Sequence, residues 1–135
     1  MTEMNELLNA TFKLKAAEAT MSQYRVAVLD TDTEGQVTNP AGASAANIAG
    51  VLRDSTLEAG KVGNFQVAGI AKVEISASVS VGDILIVGDT SGRVKPKGTG
   101  AHNSGVGIVG RAISANSTSG NIVKCILCIP SEYSS

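Results

Sequence analysis

Val79–Pro96 reads VSVGDILIVGDTSGRVKP. Its centre is an uninterrupted apolar run, Ile84-Leu85-Ile86-Val87, entered through Gly82-Asp83 and left through Gly88-Asp89-Thr90-Ser91-Gly92. The run is too short for a helix and is rich in β-branched residues, so it reads as a buried strand. The Gly- and Asp-rich cluster after it is turn chemistry, Arg93-Val94-Lys95 alternates as a return strand, and Pro96 ends it. In this hairpin the Gly and Asp residues shape turns and carry no chemistry.

The same grammar extends in both directions. Upstream, Val62 to Ile75 alternates, with Gly69 as a bulge, and Ile48 to Leu52 is a short apolar strand. Tyr24 to Leu29 is strand-like and stops at the turn cluster Asp30-Thr31-Asp32-Thr33-Glu34-Gly35, from which Gln36-Val37-Thr38 leads to Asn39-Pro40. Downstream, Ile108 to Ile113 and Ile122 to Ile129 are strands, the latter stopped by Pro130. Residues 41–47, 53–60, 97–107 and 114–120 are loops or polar excursions, and no stretch past residue 23 keeps a helical period over 11 residues. The expected class is all-β.

Two halves of the chain echo each other. Gly35 and Val37 match Gly92 and Val94; Ile48, Gly50 and Gly60 match Ile108, Gly110 and Gly120. A hairpin, a short strand, a polar loop and a longer strand, used twice, predict a small β-barrel or sandwich whose halves hide each other's sheet edges. The repeat unit starts at Tyr24 in this reading. Residues 1–23 form an N-terminal arm ahead of a single barrel-like domain over 24–135, either ordering against a partner or fraying as a terminus.

Composition narrows the function. A chain of 135 residues with no Trp, two Phe and two Tyr must build its core from Val, Ile, Leu and Ala. Such a core is modest, which points to added stability from oligomerisation or docking. The net charge of −1, without a basic stripe or interleaved aromatics, argues against nucleic acid. No apolar run approaches the roughly 18 residues of a membrane span. The N-terminus is not a secretory signal, so synthesis in the cytosol is expected.

The candidate chemical motifs fail on context. Gly105-Val106-Gly107-Ile108-Val109-Gly110 fits G-x-G-x-x-G, but a polar loop precedes it and no helix follows to hold a pyrophosphate. Cys125 and Cys128 form a C-x-x-C without a second pair, and on a strand they face opposite ways. His102 sits in a polar loop with nothing to bring a nucleophile to it. Asp30, Asp32 and Glu34 imitate the start of a calcium loop, but position 12 is Ala41, which cannot ligate. Asp83 and Asp89 serve turns, and Arg53, Arg93 and Arg111 are candidate interface residues. No catalytic, cofactor-binding or metal-binding residue is expected.

The order of segments over residues 19–129 resembles the small head decoration, or capsid cement, proteins of tailed bacteriophages. The resemblance is carried by SQYRVAVLD, IAGVLRD with AGKV, VAGIAKV, VGDILIVGDTSGRV and IVGRAI. The N-terminal 18 residues depart from the pattern in length and polarity. The resemblance implies a β-rich, non-enzymatic virion protein, commonly a trimer, made in the host cytoplasm. It implies a place on the outer surface of the head, clamping neighbouring major capsid subunits. A tail or fibre module is the alternative, and a ligand-binding barrel a weaker one, since it would carry aromatics at its mouth.

Overall fold

The computed structural model describes residues 8–16, 18–98, 106–129 and 132–133, and every helix or strand assigned among them is a strand. The first half holds β1 (Leu8–Leu14), β2 (Met21–Ser22), β3 (Val26–Leu29), β4 (Gln36–Thr38), β5 (Ile48–Leu52), β6 (Thr56–Leu57) and β7 (Val62–Ala68). In the order β1-β4-β3-β5-β7 five of these close into a barrel, with β1–β4 the parallel pair. Closure satisfies the backbone groups that an open sheet would leave at its edges. Leu14, Val37, Leu52 and Phe65 fill the interior, and Phe65 meets Phe12 edge-on with ring centres 5.8 Å apart. Two of the chain's four aromatic side chains are thus spent on one barrel.

The second half holds β8 (Ile70–Glu74), β9 (Ile84–Val87), β10 (Val94–Pro96), β11 (Val106–Ala112), β12 (Ile122–Leu127) and β13 (Glu132–Tyr133). Its path is β10-β9-β11-β12-β8, with β13 added on β11. The two ends of that path meet at one parallel bridge, Ile75 to Val94. This is the place the parallel β1–β4 pair, Leu14 to Val37, holds in the first barrel.

The duplication read from the sequence is present, and it is longer than the sequence matches show. The order β4-β3-β5-β7 is repeated as β10-β9-β11-β12, β1 answers to β8, and the β2–β6 pair Met21–Leu57 answers to the bridge Val79–Asn116. Hydrogen bonds repeat with the strands. Leu14 N donates to Lys61 O at 2.9 Å and Ile75 N to Asn121 O at 2.9 Å; Gly60 N donates to Leu14 O at 2.7 Å and Gly120 N to Ile75 O at 2.8 Å. Left-handed backbone recurs at matching places as well: Tyr24 and Gly82, Gly35 and Gly92, Gly60 and Gly120. Backbone geometry is thus repeated where side chains have diverged.

Two expectations are corrected. Residues 8–16 and 18–23 are not an arm. β1 pairs with β7 on one side and β4 on the other, Leu14 is fully buried, and Met21 is buried in the same core. Asn9, Thr11 and Lys13 are exposed while Ala10, Phe12 and Leu14 are more buried, so a barrel stave with few large apolar residues reads as polar chain. The rest of the expected arm, residues 1–7 and 17, lies outside the described residues. The strand expected over 62–75 is in fact two. At Gly69, with φ of +88°, the chain leaves the first barrel and enters the second. Buried Gln66 spans that crossover, its Nε2 donating to Ala68 O at 2.9 Å and to Ile70 O at 2.8 Å.

The halves are locked by an insertion. In the first barrel Lys13 N donates directly to Gly35 O at 3.1 Å. The matching pair in the second barrel, Glu74 and Gly92, is spread by residues 24–26: Glu74 N donates to Tyr24 O at 3.0 Å, and Val26 N to Gly92 O at 2.8 Å. Arg25 pins the insertion through two bonds to the Glu74 carboxylate, at 3.0 and 3.2 Å, and a third to Ser91 O at 3.3 Å. Below it Val26, Ile48 and Val51 of the first half join Val73, Leu85, Val94 and Val109 of the second in one apolar core.

Candidate interaction surface

The motifs weighed in the sequence take structural places. Gly107 and Gly110 lie within β11, where a Cβ would meet Ala45 O and Ile48 Cδ1 at the first position and the Ile126 backbone at the second. These glycines let strands approach closely. Asp30 Oδ1 accepts from Asp32 N at 3.2 Å and faces Lys15 Nζ at 3.7 Å, while its Oδ2 is buried without a hydrogen-bond partner. Asp32 and Glu34 are exposed at the tip of the β3–β4 turn. Among the described residues no group of three or more His, Cys, Asp or Glu is placed to hold a metal ion. His102 lies outside the described residues.

Asp83 and Asp89 are turn formers, as read: Asp83 Oδ2 accepts from Ser80 N at 2.8 Å, and Asp89 Oδ1 accepts from Ser91 N at 3.0 Å. Arg93 is held by Asp89 at 2.7 Å, Arg111 donates to Gly82 O at 2.9 Å, and Arg53 reaches Gln66 Oε1 at 3.4 Å.

Cys125 is fully buried in the shared core and Cys128 is exposed, so the pair does not converge. Burial, with the neighbouring Cys128 adding to it, pushes the Cys125 thiol from 9.0 up to about 12. The folded protein therefore holds this proton more tightly than the unfolded chain. The resulting stabilisation is fully present below about pH 9 and is lost as pH rises towards 12. A maleimide is expected to label only Cys128 in the native protein at pH 7.5, with Cys125 reacting after denaturation; equal labelling of both in the native state would contradict this burial.

The surface that stands out is the outer face of the second sheet. β12 alternates exposed and buried residues, sending Val123, Cys125 and Leu127 inward and Ile122, Lys124 and Ile126 outward. The register places Ile122 opposite Glu74, Lys124 opposite Lys72, and Ile126 opposite Ile70. On its other side Ile126 lies beside Arg111, which pairs in turn with Ile84. Two lysines directly opposite each other on neighbouring strands repel. Among the described residues neither reaches a carboxylate, because Glu74 is already held by Arg25. Ile126 is 46 % exposed and Ile122 36 %, large values for side chains on sheet interiors. A notch of about 180 Å³ between the barrels adjoins this face and adds Arg53 to Lys72 and Ile70.

Of the three arginines that the sequence offers as interface candidates, Arg53 and Arg111 adjoin this face and Arg93 is held in its own turn by Asp89; Lys72, Lys124 and the exposed isoleucines are not among the sequence candidates. The alternation in IVKCIL places Lys124 and Ile126 on one face, but their convergence with Lys72 and Arg111 depends on strand register, which one sequence does not reveal.

These observations define a duplicated all-β protein, a closed five-stranded barrel followed by a six-stranded sheet of matching strand order, with an exposed cationic and apolar sheet face. No family model and no curated protein matches the chain. Among solved structures it is similar to the head fiber gp8.5 N base of bacteriophage phi29, with a TM-score of 0.63. That likeness covers 91 % of this chain and 95 % of that one at 15 % sequence identity. It is a likeness of fold along nearly the whole of both chains.

Proposed function

We propose that this chain is a structural protein of a bacteriophage head, carried on the outer surface of the shell as a decoration protein that clamps neighbouring major capsid subunits. The observation that carries the reading is the near full-length likeness to a phage head fiber base, with little of either chain left over. The segment order resembling decoration proteins supports it from the sequence side. The physics is compatible: a duplicated β domain with an exposed charged and apolar face suits repeated contact, and weak contacts repeated over a symmetric shell add by multivalency. In this reading the protein works as a homo-oligomer, a trimer suiting local three-fold positions of a shell.

A second reading is the base of a head fibre, favoured by the description of the phi29 structure. Both readings put the protein outside the head and differ in what it does there. Purified protein added to heads lacking it is expected to co-sediment with them. As a decoration protein it raises the temperature at which heads break by several degrees; as a fibre base it binds without changing that temperature. Failure to co-sediment would refute both.

A further inference from the structure

The six large apolar side chains that remain exposed among the described residues are not scattered. Four of them, Val81, Ile113, Ile122 and Ile126, belong to the second half. Ile122 and Ile126 flank Lys124 on β12; Ile113 N donates to Lys124 O; and Val81 precedes the Gly82 carbonyl that accepts from Arg111. The other two, Leu29 and Val62, belong to the end of the first barrel that carries the acidic turn. Leu29 leads directly into Asp30-Thr31-Asp32-Thr33-Glu34-Gly35, and Val62 pairs with Lys13, which pairs in turn with Gln36 just past that turn.

Charge divides in the same way. Residues 1–69 hold eight acids against five Lys and Arg, and residues 70–135 hold four against six, giving −3 and +2 within a total of −1. A nearly neutral chain is thus divided in charge along its sequence. The exposed turn over 30–35 carries Asp30, Asp32 and Glu34 near two exposed aliphatics, while the second half bears a cationic face with four. The turn that matches 30–35 in the second repeat, Asp89–Gly92, is consumed inside the chain by Arg25 and Val26. The tip of the first-repeat turn, at Asp32 and Glu34, stays exposed to solvent.

We infer that the cationic face around Lys72 and Lys124 is the seat of a second copy of this chain, which presents its β3–β4 turn there, Asp32 and Glu34 against the lysines and Leu29 against the isoleucines. Seating the turn removes the Lys72–Lys124 repulsion and covers apolar surface on both sides at once. Because the two patches differ, the contact is head-to-tail, and it closes into a ring when the rotation between copies permits. The inference rests on the proposed homo-oligomer and adds its interface; it does not depend on attachment to a head.

Sedimentation velocity of the full chain tests it. Wild type is expected to sediment as an oligomer that loosens as salt rises from 0.05 to 0.5 M. K72E/K124E and D32K/E34K are each expected to weaken association at least tenfold, because each sets like charges face to face. The quadruple variant restores opposite signs at every contact and is expected to recover the oligomer. Circular dichroism melts confirm that each variant is folded, and Lys72→Gln with Lys124→Gln replaces the first pair if it is not. An oligomer indifferent to both reversals, or a quadruple variant no better than its parents, overturns the interface while leaving the homo-oligomer standing. A wild-type chain monomeric both in solution and on heads overturns the homo-oligomer itself.

Discussion

Deleting residues 1–16 is expected to unfold the first barrel. A detached arm would leave the rest of the chain unchanged; β1 is not detached. It pairs along Leu8 to Lys13 with β7 and through Lys13 and Leu14 with β4, so its loss opens a closed barrel into a sheet with two raw edges. Leu14 is fully buried, and removing a leucine side chain from such a site alone costs about 2–5 kcal/mol. Phe12 also leaves the face of Phe65, the largest fully buried side chain. Set against a total stability of about 5–15 kcal/mol for a domain, these losses are decisive. The truncated chain is expected to show collapsed amide dispersion for residues 26–68 by ¹⁵N NMR and a strong tendency to aggregate. A fully dispersed spectrum with an unchanged melting temperature would mean that the first strand is dispensable.

Gly92→Ala is expected to cost about 3 kcal/mol or more, while Gly35→Ala, at the matching turn of the other repeat, costs about 1–2 kcal/mol. Both glycines have left-handed backbone, with φ of +86° and +78°. Both substitutions therefore pay the same conformational strain. They differ in surroundings. A Cβ at Gly35 meets nothing within 4 Å, whereas one at Gly92 collides with Val26 O and lies 2.9 Å from Val26 N. Those atoms belong to the insertion that joins the barrels, so the alanine pushes residues 24–26 out of the second barrel and weakens the bond from Val26 N to Gly92 O. Thermal melts of the two variants side by side isolate this term. Equal losses at the two sites would show that the insertion contributes nothing.

Much of this architecture was legible in the sequence, for identifiable reasons. The hairpin at 84–96, the short strands at 48–52 and 122–127 and the internal repeat all carry strong local signals: β-branched runs, Gly-Asp turns and glycines at left-handed positions. Glycine matches such as Gly60 with Gly120 found the repeat because backbone geometry at a turn tolerates few substitutes. The first strand reads as part of an arm because Asn9, Ala10 and Thr11 give almost no hydrophobic contrast and only partners distant in the chain make it a barrel stave. Tyr24 hides its correspondence to Gly82 because the insertion holds a bulky residue at φ of +67°, where turn chemistry alone would call for glycine. The interaction face stayed hidden for a related reason: Lys72, Arg111 and Lys124 are neighbours only through the pairing of β8, β12 and β11.

The central claim is that a duplicated barrel-and-sheet protein serves as an outer component of a phage head. Cryo-electron microscopy of heads assembled with and without this chain tests it most directly. The account predicts that difference density appears on the outside of the shell, over contacts between major capsid subunits, and that each copy fits as a five-stranded barrel adjoining a six-stranded sheet. Difference density confined to the tail or to the interior of the head, or none at all, would contradict it.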